Sequence, residues 1–309
     1  MACGEALIDM IRNSDGTQRA TPGGGPFNTA RALARLGVPT AFLGRLSEDR
    51  FGRELSELLV ADGASVELVS VGPEPTTIAL AEIDGDGAAR YRFVVDGTSA
   101  PNLTPDMIPS SLASNVNALL VGSLGLVLEP MAATIAELVR RERGRRLIML
   151  DPNIRDGLSD ERDYRQRLES IVAATTVVKA SDSDLAWIES GTNYRAAAEH
   201  MLDLGVRMVA VTLGAQGAFA AHRDLRVHVH APPVHVVDTI GAGDAFGAGL
   251  LGWLHDHDLV RPDLELDEEE LRAALEYACL VASLTCARAG ADPPWTREVL
   301  AAVEGRLDG

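Results

Sequence analysis

The chain has 309 residues, 46% of them apolar, which is enough to bury a full core and excludes a disordered or fibrous protein. Its 45 Asp plus Glu outweigh 28 Lys plus Arg, a net charge of −17. The surface field therefore repels nucleic acid and anionic membranes, and any phosphate has to be held locally. Three cysteines are too few for a disulfide framework, and Cys279 and Cys286 stand about 10 Å apart along one expected helix, beyond disulfide reach. A reducing cytoplasm is the expected compartment. The start, MACGEALIDMI, lacks a basic n-region and an A-x-A site, and the longest near-apolar run, at 118–128, is too short to span a bilayer.

Strand-like and helix-like stretches alternate with short breaks, which predicts an α/β fold: a doubly wound, mainly parallel sheet flanked by helices, in one domain over 1–309. The opening strand CGEALIDMI leads through TPGGGP into the helix FNTARALARLG, closed by Gly37. The strand TAFLGRL and the helix FGRELSELLVADG follow. Then VELVSVG, TTIALAEI and ARYRFVV, joined at Gly72-Pro73 and at DGDG, 84–87, predict a β-meander: a small lid inserted at about 66–95, with short strand segments near 8–20 as candidates to join it. The α/β rhythm resumes with NALLVGS, a helix at 129–143, RLIMLD, a helix at 163–173, TVVKAS, a helix pair near 182–204 and RMVAVTLG. AFAAHR and RVHVHA form a late hairpin, and helices at 242–256, 268–286 and from Thr296 complete the chain.

The stretch DTIGAGDAFGAG, 238–249, runs a glycine turn straight into a small-residue helix. Gly241 and Gly243 let backbone N–H groups converge at the start of the helix beginning near Ala242, where unpaired donors and the positive dipole end favour an anion. An aspartate beside an anion hole repels the anion unless it takes a proton from the group attacking that anion, so Asp244 fits general-base phosphoryl transfer. Two other readings are open: a dinucleotide fingerprint, which normally opens the first βαβ unit, and a glycine-rich helix start with Asp244 as a dipole partner. A second glycine turn, PGGGPFN at 22–28, precedes another helix, with Asn28 in its first turn and Asp9 ending the opening strand. Carboxylate, carboxamide and bare backbone together suit polyol recognition, because each sugar hydroxyl both donates and accepts.

Taken together, GGGPFNTARALARLG and DTIGAGDAFGAG resemble the two signature regions of the ribokinase-like, or PfkB, carbohydrate kinase family, with GEALID before them, DPNIR and VTLGAQG between them and RAGAD after them matching in order. The resemblance covers essentially the whole chain. It implies an ATP-dependent sugar kinase in which Asp244 is the catalytic base and Gly241, Ala242 and Gly243 stabilise the transferring phosphoryl group. It further implies Asp9, Gly23, Gly24 and Asn28 as sugar ligands, with Arg155 of DPNIR assigned to the substrate, and Thr212, Gly214 and Gly217 as the nucleotide turn, with Lys179 placed beside them. Asp238 would organise a monovalent cation, K⁺, with carbonyls near RAGAD, and Mg²⁺ would bridge the phosphates. The flap would be the family's lid, which closes over the sugar and can build a homodimer interface.

One departure is the family's N-x-x-E element, which helps position Mg²⁺ through water and stands here as Ser181-Asp182-Ser183-Asp184; Asp184 keeps the carboxylate on a shorter arm. Asp151, Asn153 and Arg155 can face either phosphates or sugar. Lys179 is the chain's one lysine, which a codon bias toward arginine explains as simply as a need for an ammonium. Within the family the chain looks most like fructokinases and 2-keto-3-deoxygluconate kinases. Both often carry an arginine where this chain has Asp96, and a carboxylate near the sugar would repel an anionic substrate. The expected substrate is therefore a neutral sugar, fructose first, with ketodeoxygluconate and ribose behind it and a non-catalytic sugar or nucleotide sensor as the rival of another class. The histidines of HVHAPPVH lack a carboxylate or cysteine to complete a zinc site and read as a solvated strand edge.

Overall fold

The computed structural model describes residues 1–12, 18–83, 89–155, 158 and 161–307. In chain order the strands are β1 (Ala2–Cys3), β2 (Leu7–Arg12), β3 (Gln18–Gly23), β4 (Ala41–Ser47), β5 (Ser65–Gly72), β6 (Ile78–Ile83), β7 (Ala89–Val94), β8 (Ala118–Gly122), β9 (Leu147–Asp151), β10 (Val177–Ser181), β11 (Met208–Thr212), β12 (Ala218–His222) and β13 (Leu225–Val229). The helices are α1 (Gly25–Arg35), α2 (Arg50–Asp62), α3 (Met131–Glu142), α4 (Glu161–Val172), α5 (Asp182–Ile188), α6 (Tyr194–Asp203), α7 (Ala242–Asp256), α8 (Glu268–Cys286) and α9 (Thr296–Leu307).

The main sheet runs β13-β12-β11-β10-β9-β8-β1-β4-β5, parallel from β11 to β5 and closed at the other edge by the antiparallel pairs β11/β12 and β12/β13. Successive strand residues face opposite ways, so Phe42, Leu120 and Met149 enter one core with Phe27 of α1, Leu55 of α2, Phe246 of α7 and Leu275 of α8. Leu43, Leu119 and Ile148 enter the other, with Ile135 of α3, Leu168 of α4, Leu185 of α5 and Ala198 of α6. Strands buried on both faces need continuous apolar runs, which is why NALLVGS and RLIMLD show no alternation. α7 is buried almost all round and is built of small residues, and a Cβ on its Gly249 would stand 2.9 Å from Ala278 Cα of α8.

A second sheet, β3-β2-β6-β7, holds β6 and β7 of the expected lid and keeps that name. Two expectations need correction. The stretch VELVSVG, 66–72, assigned to the lid, belongs instead to β5 and pairs in parallel with β4 as the edge of the main sheet. An edge strand with a solvated face alternates just as a lid strand does, so its pattern does not separate the two; only the pairing does. The opening strand is also not one strand. β1 lies in the main sheet and β2 in the lid, paired antiparallel to β3 and parallel to β6, so the chain changes sheets across Gly4, Glu5 and Ala6. The DGDG turn lies outside the described residues.

His222 ties down the antiparallel edge. Its ring is fully buried, with Nδ1 2.7 Å from the Arg207 carbonyl oxygen and Nε2 accepting from the Leu266 N–H at 3.1 Å. This pairing requires the neutral ring protonated on Nδ1, and burial lowers its pKa from 6.5. The unfolded chain takes up the proton first, so this stabilisation is present above pH 6.5 and is lost as pH falls toward the lower folded value. Urea unfolding should show wild type ahead of His222→Gln by about 1–3 kcal/mol near neutral pH, with the gap shrinking at about pH 5.5. An unchanged gap would show that the ring does not titrate on unfolding.

Candidate active site

In the sheet order β8 and β1 are neighbours from which the chain winds outward in opposite directions, so the crevice beyond their C-terminal ends is where a doubly wound sheet binds ligands. A cavity of about 310 Å³ lies there. Glu5 follows β1, Ser123 follows β8, Asn153 and Arg155 follow β9, and Lys179 stands on β10; all line it. The lid contributes Asp9 from β2 and Phe93 from β7.

Asp244, in the first turn of α7, is 9% exposed and lines the same cavity. Asn28 Nδ2 donates to its Oδ2 at 2.9 Å, which fixes α1 against α7. The other amide atom, Asn28 Oδ1, is buried and accepts nothing, so a polar ligand group has a ready acceptor there. Burial pushes the Asp244 pKa up, opposed by Lys179, Asn28 and Arg155. The helix start beside it has no side-chain cap, and its first i→i−4 bond is Ala245 N–H to Gly241 C=O at 2.8 Å. The N–H groups of Gly243 and Asp244 precede that bond and point out of the helix end. Gly241 takes φ 77, and a Cβ there would meet Ala291 Cβ at 2.6 Å, so only glycine makes this turn without strain.

Lys179 stands away from the nucleotide turn with which the resemblance groups it: it is 4% exposed on the wall of the first cavity, where its ammonium pairs with Asp151 Oδ2 at 2.7 Å. A Cβ built on Gly243 would lie 2.9 Å from its Nζ, so the charge faces the helix start. Burial opposes that charge, but Asp151, Asp244 and Asp184 hold the lysine pKa above its ordinary value. The ammonium is kept charged next to the anion hole.

A second cleft, of about 550 Å³, is lined by Thr212, Gly214 and Gly217 together with Phe246, Ala282 and Ser283. Ala242 opens onto it, while Thr239 and Gly243 line both spaces, so the cavities meet at the start of α7. Of the expected sugar ligands, Asp9, Gly24, Asn28 and Arg155 line the first cavity. Gly23 does not; it backs the Asp9 carboxylate, and Gly25 takes its place on the wall. Gly24, at φ 109, lets the turn pass the Glu5 carbonyl, which a Cβ would approach to 2.7 Å. Asp9 is raised to about 6 by burial, with Arg155 pulling the other way. Asp96, expected near the sugar, is exposed and does not line the cavity, so the charge argument built on it loses its footing.

Asp184 caps α5 in a reciprocal box with Ser181, and its Oδ1 accepts the Ile154 N–H at 2.8 Å, which steadies the turn carrying Arg155. Asp238 accepts from Ile240 N–H through Oδ1 and from Gly290 N–H through Oδ2, joining the glycine turn to the RAGAD segment. Among the described residues no three His, Cys, Asp or Glu side chains gather as a metal cage.

Glu5 is a site residue that the motif reading passed over. It is 1% exposed; Oε1 accepts the Gly25 N–H at 3.0 Å and Oε2 the Gly125 N–H at 3.2 Å, so one carboxyl orients both the α1 turn and the turn after β8. Its only sequence signal is a charged residue inside an apolar opening strand. Burial raises its pKa from 4.5 to about 7.

Such a layout belongs to phosphotransferases that act on an alcohol, with acceptor and donor meeting over one helix start. The chain belongs to the pfkB family of carbohydrate kinases, whose profile matches residues 1–297. Among curated relatives it is 39% identical to a fructokinase of Rhizobium leguminosarum bv. trifolii over 88% of this chain and 85% of that one. It is 33% identical to a fructokinase of Klebsiella pneumoniae over 85% and 88%. Among solved structures, the fructokinase of Vibrio cholerae O395 in its fructose-, ADP- and calcium-bound form superposes with a TM-score of 0.85 at 26% identity, covering 97% of each chain. The ATP-bound fructokinase of Xylella fastidiosa shares the fold, with a TM-score of 0.90 at 24% identity over 99% and 98%. No helix of the described residues is long and apolar enough to cross a membrane.

The raised carboxyl makes its own prediction. Because the folded pKa of Glu5 lies above the unfolded one, its stabilisation is full below pH 4.5 and is lost as pH rises through about 7. Between about pH 5 and about pH 8.5 wild type should lose more unfolding free energy than Glu5→Gln, which has no proton to lose. Equal slopes would mean that Glu5 is ionised throughout.

Proposed function

We propose that the protein is an ATP-dependent fructokinase that phosphorylates a primary hydroxyl of the sugar. The observation that carries the reading is the meeting of a sugar-sized cavity and a nucleotide-sized cleft at Gly243, beside the buried carboxylate of Asp244. Fructose comes from the named relatives and from the structure that holds fructose and ADP.

Asp244 accepts the proton of the bound hydroxyl as its oxygen attacks the γ-phosphorus. The bond to the β–γ bridging oxygen breaks, and its electron pair leaves with ADP. Gly241, Ala242 and Gly243 present the helix start to the developing charge, and the Lys179 ammonium neutralises it. Asp9, Gly24, Asn28 and Arg155 hold the other hydroxyls, with Gly23 behind Asp9; Thr212, Gly214 and Gly217 form the nucleotide turn. A divalent ion such as Mg²⁺, carried by the phosphates, would lower their charge. Asp184 would reach it through water. Asp238, bridging Ile240 and Gly290, is the residue that would order carbonyls around K⁺. The edge strands β3 and β7 of the lid are the proposed homodimer surface, and the three free cysteines suit a cytoplasmic setting. Arg155 on the cavity wall supports an acidic sugar, ketodeoxygluconate, as the second reading.

With Mg-ATP, a coupled ADP-release assay should give turnover of fructose faster than of ketodeoxygluconate or ribose, and Asp244→Asn should lower kcat by about 10²–10⁴-fold. Faster turnover of ketodeoxygluconate would replace fructose by the second reading, whereas silence with intact sugar and nucleotide binding would mark a sensor. Lys179→Met, which removes a charge facing the transferred group, should lower kcat by about 10²–10³-fold with a smaller change in the sugar KM. A purely nucleotide-binding lysine would raise the KM for ATP and leave kcat unchanged.

A further inference from the structure

On α1, beyond Asn28, the buried Arg31 and the partly buried Arg35 leave the helix on one side. Arg31 Nε donates to Asp62 Oδ2 at 2.6 Å and Arg35 Nε to Asp62 Oδ1 at 2.8 Å, so the last residue of α2 cross-braces a pair of like charges four residues apart. Nη1 of each reaches one segment. Arg31 Nη1 donates to the Ala291 carbonyl at 3.3 Å, while Arg35 Nη1 donates to Asp292 Oδ1 at 2.6 Å and to the Pro293 carbonyl at 2.7 Å.

That segment is the floor of the anion hole. Ala291 lies where a Cβ on Gly241 would sit, 2.6 Å from it, and Gly290 N–H donates to Asp238 Oδ2 at 2.8 Å, holding the entry to the glycine turn. A planar guanidinium suits this work because it offers several donors in one fixed fork, so a single side chain binds a carboxylate on one edge and a carbonyl on another. Arg31 is only 7% exposed and Asp62 5%, which removes the competition of water. The fork does not line either cavity.

We propose that Arg31 and Arg35, braced by Asp62, are positioning residues that set the anion hole from the same helix that places Asn28 on Asp244. Acceptor and donor phosphate are thereby registered from one rigid element. This rests on the kinase reading, and the function it deepens is phosphoryl transfer rather than sugar binding. If Ala291 drifts, Gly241 and the N–H groups after it move, while Asn28 stays on α1.

The test is Arg31→Met, which leaves Asp62 paired with Arg35. Expected are a kcat at least about tenfold lower, a fructose KM within about twofold of wild type, and a fall in the affinity for ATP relative to adenosine. Arg31→Gln, which keeps one donor, substitutes if the methionine variant does not fold and should fall between the two. A lowered Tm with kcat and the ATP-to-adenosine ratio within about twofold of wild type would reduce the clamp to a stability role and overturn the proposal. Wild type inactive on every sugar would overturn the kinase reading instead, and the binding ratio would still decide the clamp.

Discussion

The hydrogen bond from Asn28 Nδ2 to Asp244 Oδ2 spans 216 residues of chain and holds the site together. A carboxylate buried beside an anion hole is costly twice over: it is desolvated, and it repels the phosphate that the hole attracts. The surrounding structure answers both. Asn28 supplies a neutral donor that aims the carboxylate, and Lys179 supplies the cation that makes the site bearable for a phosphate. Asp151, in turn, keeps the lysine charged at 2.7 Å. Removing the amide would take away a hydrogen bond by which α1 aims the Asp244 carboxylate.

The same economy explains why the two glycine turns face each other. Each lies at a helix start, and each helix start is fed by backbone N–H groups with nothing to bond inside the helix. At α1 the carboxyl of Glu5 takes one of these donors, so that turn is already satisfied and serves as a rigid wall. At α7 no side chain caps the end, and the Ala242 N–H turns back to the Thr239 carbonyl, while those of Gly243 and Asp244 precede the first bond inside the helix. Two similar sequence patterns therefore end in different chemistry. The difference is made by a residue that belongs to neither motif.

Much of this was legible because glycine turns and buried strands have short-range causes. The helix start at Ala242 and the mainly parallel sheet follow from glycine spacing and apolar periodicity. What was not legible depends on pairing between distant segments. Val66–Gly72 has the alternation of a lid strand, yet β4 offers it a partner in the main sheet. CGEALIDMI reads as one strand, yet its halves serve two sheets, and the break between them is what delivers Glu5 into the cavity. Lys179 sits on a strand whose register with its neighbours decides which cavity it faces. Asp96 follows the lid strand closely in sequence but points to solvent.

The site is electrostatically unfinished as it stands. Glu5, Asp9 and Asp244 share a cavity with Lys179 and Arg155, and burial raises the pKa of all three acids. Sugar hydroxyls change that balance without adding charge, because each donates to a carboxylate and accepts from an amide or guanidinium. They can satisfy Asn28 Oδ1 and share the Asp9 carboxylate while displacing water, which strengthens every remaining interaction. The donor's phosphate then meets a cation and a helix start that were positioned before it arrived, so little reorganisation is left for the moment of transfer. On the proposed reading, a lid that carries Asp9 would make the two events dependent, because closing over the sugar would also dry the space around Asp244 in the same cavity.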